Sequence, residues 1–293
     1  MIVAHTRAEL ARARQAVQGP VVLVPTMGAL HDGHRALLQY AREVAGDGGS
    51  TVLSVFVNPL QFGPNEDLGK YPRTLPEDLK IAEAERADLV FAPGVADMYP
   101  REQLVTVDPG PVGRILEGAH RPGHFAGVLT VVLKLFMLVR PDIAVFGQKD
   151  AQQLALLRRM AEDFALGVEI RGVPTVRAGD GLALSSRNKY LSNTERTLAT
   201  ALHRALSAGA AAAPHGPAAV LEAARAVIEE AGDDALAADY VELVDFETGQ
   251  FVRDTDVEGF KGFEGTATLA IAARVGATRL IDNVPVRFDA ASD

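Results

Sequence analysis

The sequence predicts an α/β protein: a Rossmann-like doubly wound parallel sheet over residues 1–175, followed by a smaller C-terminal α+β domain over 176–293. Two observations carry this. Short β-branched runs alternate with segments of helical period over the first part of the chain, the pattern of a parallel sheet covered on both faces. After about residue 175 the character changes to a turn-rich loop, Ala-rich helices and isolated strand candidates.

Each element has its own signal. Ile2-Val3-Ala4 reads as a short strand, and Thr6 is an N-cap for a helix ending near Val17. Val21 to Val24 is a buried strand that Pro25 ends, leaving Thr26 to Leu30 as a loop. His31-Asp32-Gly33-His34 opens a helix, because Ala36, Leu37, Leu38, Tyr40, Ala41 and Val44 recur at helical spacing. Thr51 to Val57 is a second buried strand, with the polar loop Asn58 to Asp67 at its exit. Pro76 opens a helix through about Ala87, with Glu77 and Asp78 at its positive end, and Asp88 to Ala92 is a strand. Tyr99 to Gly127 is a Gly- and Pro-rich excursion before an apolar helix from Val128 to Val139, whose one internal charge is Lys134. Ile143 to Phe146 is a strand, Gly147 to Asp150 its exit loop, Gln152 to Phe164 a helix and Val168 to Val173 a strand. Gly179 to Ser192 is a turn-rich loop. An Ala-rich helix follows, broken at Ala213–Pro217, and then a helix from Ala218 to Ala231. Ala238 to Val244 and Thr268 to Val275 are strand candidates, with Thr255 to Gly265 as a loop.

Composition narrows the function. The formal charge of −9 and isoelectric point near 5.3 argue against a general nucleic-acid surface, while leaving room for a local basic pocket. With no cysteine, thiolate zinc sites, disulfides and cysteine nucleophiles drop out. No apolar stretch approaches the ~20 residues needed to cross a bilayer, and the N-terminal segment lacks a signal-peptide core. The chain is expected to be cytoplasmic, without membrane or nucleic-acid partners.

The chemistry concentrates in the strand-exit loops. His31 and His34 stand where a strand hands over to a helix N-terminus, a place that favours anions, and Gly33 allows close backbone approach. They read as helix caps, as stabilisers of charge on ATP phosphates, or as metal ligands; no third ligand lies near in sequence. Lys149 is either a solvated charge or a point charge on phosphate, with Gly147 opening the loop; Asp150 caps the next helix or helps hold Mg²⁺. Ser185-Ser186-Arg187, after Gly179 and Gly181, offers hydroxyl and guanidinium donors to an anion or is an ordinary serine turn. The carboxamides of Asn58 and Gln61 suit a hydroxy-acid, one of Gln152 and Gln153 can face a substrate, and Arg121 and His124 are either loop anchors or functional groups. Glu77-Asp78 reads as helix-start chemistry, with Mg²⁺ as the other role.

Together these segments resemble the pantothenate synthetase (pantoate–β-alanine ligase) family of the HIGH-motif nucleotidyltransferases. The carrying stretches are PTMGALHDGH (25–34), VFVNPLQFGPNED (55–67), YPRT (71–74), EGAHRPGHFAGVLTVVLKLF (117–136), PDIAVFGQKDAQQL (141–154) and GLALSSRNKYLS (181–192). The resemblance implies that ATP and (R)-pantoate, with Mg²⁺, give an enzyme-bound pantoyl adenylate and pyrophosphate. β-Alanine then releases pantothenate, the coenzyme A precursor, and AMP. By position it implies His31 and His34 as stabilisers of the pentacovalent α-phosphate, and Lys149, Ser185, Ser186 and Arg187 as phosphate ligands. Pro25, Thr26, Met27, Gly147, Asp150, Val176 and Leu184 would complete the ATP contacts, and Gln61, Gln153 and the Met27 backbone would hold pantoate. It assigns no metal ligands and implies a homodimer, with the C-terminal domain as a lid. Leu184 stands where the family usually has Met, and Ala151 where it commonly has an aromatic. Two other readings carry different expectations: an adenylyltransferase acting on a phosphorylated acceptor, and a catalytically silent nucleotide-binding regulator.

Overall fold

The structure, a computed structural model, describes residues 1–64, 66, 68–232, 235–252 and 264–288. It divides into two compact units, Met1–Gln148 with Gln152–Pro174, and Lys149–Ala151 with Thr175–Asp293.

The first unit is a six-stranded sheet. Its elements run β1 (Ile2–Ala4), α1 (Arg7–Ala16), β2 (Val21–Thr26), α2 (Asp32–Ala45), β3 (Ser50–Val55), α3 (Leu75–Ala84), β4 (Leu89–Phe91), α4 (Val95–Met98), α5 (Glu117–His120), α6 (His124–Val139), β5 (Ile143–Gly147), α7 (Ala151–Asp163) and β6 (Glu169–Val173). The strand order is β1-β4-β3-β2-β5-β6 and every pairing is parallel. Side chains alternate across the sheet. Val21 and Leu23 therefore join one core with α6 residues such as Leu129 and Phe136, while Val22 and Val24 join another with Leu37, Leu38 and Ala41 of α2. Both faces are covered, which is why these strands read as unbroken apolar runs.

Strand succession reverses at β2: β3 and β4 lie to one side and β5 to the other. In open α/β sheets, ligands bind beyond the strand C-termini at such a switch point. The segments after β2 and β5 are Met27–His31 and the turn after Gly147.

Two local expectations are corrected. Pro25 does not end its strand; it pairs with Ser54 in β3, while the ladder to β5 involves only Val22 and Leu23. The missing N–H thus falls beyond the part of the strand paired on both sides. The apolar helix begins at His124, not Val128, after Gly123 in the left-handed region (φ 85°). Gly127 lies inside it because a Cβ there would overlap the Leu60 carbonyl.

The second unit holds α8 (Asn193–Ala211), α9 (Pro217–Glu230) and a sheet of order β10-β9-β7-β8, all antiparallel. Its strands are β7 (Leu236–Asp245), β8 (Gln250–Val252), β9 (Gly265–Val275) and β10 (Thr278–Phe288). Sequence reasoning did not anticipate β8 or β10, since Asp282-Asn283 and Pro285 interrupt the apolar pattern of β10. As an edge strand, β10 can carry a proline. The loop expected over 255–265 lies, up to residue 263, outside the described residues. Leu202, Leu206, Val220, Leu243, Leu269 and Ile271 are among the buried core of this unit.

Candidate active site

The turn between β2 and α2 is built by a buried carboxylate. Asp78, 1% exposed on α3, accepts the N–H groups of Ala29 at 3.1 Å and Leu30 at 2.8 Å. Gly28 (φ 83°) lets the chain turn against that carboxylate and Val55. Thr26 Oγ1 donates to Ser54 O at 2.8 Å and accepts from Gly28 N, which fixes the start of the turn. Asp78, read from sequence as helix-start chemistry, is thus committed to organising this loop. No sequence signal distinguishes it from Glu77 beside it.

His31 is the N-cap of α2. Its Nδ1 accepts the Gly33 N–H at 3.1 Å, and His34 Nδ1 accepts the His31 N–H at 3.2 Å, a reciprocal capping box made by two imidazoles. The rings lie 4.1 Å apart. The cap reading of the pair is therefore met by the geometry. Because each Nδ1 receives a backbone N–H, each neutral ring carries its proton on Nε2 and presents an N–H donor. Burial, with the neighbouring His31 charge second, pulls the His34 pKa down to about 3, so His34 is a neutral donor across the physiological range. The Gly33 N–H is used by the cap.

Across the sheet, Asn58 is fully engaged. Its Nδ2 donates to Gln61 Oε1 and to Gly127 O, both at 3.1 Å, and its Oδ1 accepts from Tyr99 OH at 2.8 Å and Leu60 N at 3.3 Å. Burial pushes the Tyr99 hydroxyl up to about 12, keeping it a donor. Asn58 is thus scaffolding for Gln61, whose Nε2 donates, among the described residues, to the weak acceptor Met27 Sδ at 3.1 Å. A substrate oxygen would replace that contact with a stronger one. His124 Nδ1 pairs with the Gln61 carbonyl at 2.9 Å, its Nε2 with Arg121, and Arg121 with Glu66 at 2.6 Å. Arg121 and His124 are loop anchors. Lys134 Nζ reaches Gln103 Oε1 at 3.2 Å and lies 4.6 Å over the Tyr99 ring.

The two glutamines opening α7 separate cleanly. Gln152 is buried, accepting the Glu117 N–H and donating to Val112 O and Ile115 O. Gln153 is half-buried, and its carboxamide makes no hydrogen bond among the described residues. At Gly147 a Cβ would meet nothing within 4 Å, so the backbone there borders open space.

In the second unit, a small hairpin closes with Leu184 N donating to Val176 O and Ala178 N to Leu182 O, both at 2.9 Å. It delivers Ser185, whose Oγ accepts the Arg187 N–H at 3.3 Å and caps the turn Ser186–Tyr190. Lys149 and Arg187 are half-buried cations whose side chains have no partner among the described residues. Asp150 is exposed, and its carboxylate caps nothing. Among the described residues no group of three His, Asp or Glu could hold a metal ion. No helix among them is long and apolar enough to cross a membrane.

The switch-point turn with its imidazole donors, in a doubly wound parallel sheet, defines a nucleotide-handling α/β class. The comparisons with known proteins carry this to one family. The chain matches the family described as pantoate-beta-alanine ligase over residues 2–285. It is 56% identical to the pantothenate synthetase of Thermobifida fusca, covering 97% of this chain and 95% of that protein. It is similar in structure to the pantothenate synthetase of Thermus thermophilus (TM-score 0.87, 45% identity, 97% and 99% of the two chains). It is also similar to the pantoate-beta-alanine ligase of Francisella tularensis complexed with beta-gamma ATP and beta-alanine (TM-score 0.76, 31% identity, 97% of each). The chain belongs to the pantoate–β-alanine ligase family.

Proposed function

We propose that the chain condenses (R)-pantoate with β-alanine, using ATP, through a bound pantoyl adenylate. The observation that carries this is the imidazole capping box at the sheet's switch point, two imidazoles held by their own backbone at the edge where ligands of such sheets bind. A pantoate carboxylate oxygen attacks the α-phosphorus and pyrophosphate leaves. The β-alanine amine then attacks the acyl carbon, AMP leaves, and the ammonium proton passes to solvent.

His31 and His34 meet the charge that builds on the α-phosphate. Lys149 and Arg187, with the Ser185 and Ser186 hydroxyls, bind the phosphates. Gly147 and Asp150 contact ATP, as do the backbone and side chains of Pro25, Thr26, Met27, Val176 and Leu184. Gln61 and Gln153 hold pantoate, and the uncommitted carboxamide of Gln153 supports that role. Mg²⁺ would enter as part of the Mg·ATP substrate, held by phosphate oxygens and water. Bound there, it would neutralise charge on the departing pyrophosphate. The C-terminal part is proposed to keep the adenylate dry, since an acyl adenylate open to water hydrolyses.

A cytoplasmic homodimer belongs to the same proposal. Leu104 and Val105, 82% and 79% exposed in a stretch without regular secondary structure, are the apolar surface a second copy would cover. The test of the activity is to follow AMP and pyrophosphate with ATP, Mg²⁺ and pantoate, with and without β-alanine. AMP release that needs both pantoate and β-alanine is the expected result, and its absence would overturn the proposal.

A further inference from the structure

The edge strand β10 carries two buried polar residues in succession, Asp282 (3% exposed) and Asn283 (9% exposed). Asp282 receives the Arg177 guanidinium in a two-pronged pair, Nη1 at 2.6 Å and Nη2 at 3.0 Å, and also accepts the Asn283 N–H at 2.8 Å. The same guanidinium donates to Gly181 O at 3.1 Å, at the tip of the hairpin that leads into Ser185–Arg187. Asn283 Nδ2 donates to the backbone carbonyl of Lys149 at 2.7 Å. This bond ties Lys149, which follows β5 and the first unit in sequence, to the second unit with which it packs.

A buried arginine–carboxylate pair is a weak source of net stability, because both charges lose their water. An apolar pair would serve the fold of an edge strand as well. What the polar pair supplies is geometry: one dipeptide bonds the backbone of Lys149 directly and, through Arg177, the hairpin that leads to Arg187, the two half-buried cations without a side-chain partner among the described residues.

We propose that Asp282 and Asn283 are positioning residues for ATP. Asp282 acts through Arg177 on the Ser185–Arg187 turn, and Asn283 acts through the Lys149 backbone, so that β10 sets the spacing of the two phosphate-binding cations. This rests on the reading of Lys149 and Arg187 as phosphate ligands.

The test compares four forms of the full-length enzyme: Asn283→Ala, Val284→Ala, Lys149→Ala and the double variant Asn283→Ala with Lys149→Ala. Val284 is an apolar residue packed against the core of the second unit, so its variant reports strand destabilisation. Asn283→Ala is expected to raise KM for ATP roughly tenfold, the worth of one well-made hydrogen bond, with KM for pantoate unchanged. Val284→Ala should lower Tm without moving KM for ATP. In the Lys149→Ala background, the Asn283 substitution should add less than twofold. If Lys149→Ala raises KM for ATP and Asn283→Ala does not, or if Val284→Ala raises it equally, the positioning role is overturned while the ligand reading stands. An unchanged KM for ATP in Lys149→Ala overturns the ligand reading and the positioning role with it.

Discussion

Replacing His34 with alanine removes two separable things. Its Nδ1 accepts the His31 N–H at 3.2 Å, one half of the capping box, and an ordinary hydrogen bond of this kind is worth about 1 kcal/mol. For a chain of this length, that lowers Tm by about 2 °C. The second loss is the Nε2–H donor. Its ring is fixed by the cap and is neutral at working pH, so the donor is preorganised and needs no proton uptake to act. Removing one such donor from a site of developing oxyanion charge costs roughly 3–4 kcal/mol of barrier, about 10²–10³ in rate. The assay is rapid-quench single-turnover formation of pyrophosphate and adenylate from ATP and pantoate, without β-alanine, at saturating substrate. The expected pattern is a small loss of Tm with a large loss of the adenylation rate. A folded His34→Ala protein that adenylates at nearly the wild-type rate would refute the role given to the imidazole.

Other perturbations test the surrounding assignments. The His34 pKa, about 3 in the fold, lies below the ~6.5 of an unfolded chain, so the unfolded state takes up a proton first and stability falls as pH drops below about 6.5. Between pH 7.5 and 5.5 the wild type should lose about 1.4 kcal/mol more than His34→Ala in urea titrations; parallel pH dependences would contradict a neutral His34. Gln153→Ala should raise KM for pantoate about tenfold with Tm unchanged, whereas Gln152→Ala should lose roughly 1–3 kcal/mol of stability by leaving the Glu117 N–H and two carbonyls without their partner. The reverse pattern would exchange the two roles. Joint Leu104→Asp and Val105→Asp substitution should convert a dimer into a monomer by sedimentation; an unchanged mass would place the interface elsewhere.

The first unit was legible because its signals are local. Buried parallel strands are continuous apolar runs such as Val21–Val24, and the loops that follow them carry the chemistry by topology alone. The capping geometry of His31 was half visible, since a histidine before an amphipathic run can cap or bind. That it caps follows from which ring nitrogen faces the backbone. The start of α6 was misplaced because His124 and Gly127 read as loop residues, although each has a specific contact that fixes it in the helix. Residue chemistry alone left Gln152 and Gln153 equivalent, although the resemblance implied Gln153; the fold separates them because neighbours in sequence face different surroundings. β10 was invisible for a like reason. Asp282 and Asn283 suggest a turn until Arg177, 105 positions earlier, and the Lys149 carbonyl, 134 positions earlier, supply their partners.

The central claim is that the pantoate carboxylate is joined to AMP before β-alanine reacts. Pantoate labelled with oxygen-18 in both carboxylate oxygens tests it most directly, with the products of a full reaction analysed by mass spectrometry. Attack on the α-phosphorus followed by amide formation transfers one labelled oxygen to AMP and leaves one in the amide carbonyl. AMP carrying one oxygen-18 is the predicted result; unlabelled AMP, with the label in pyrophosphate instead, would contradict it.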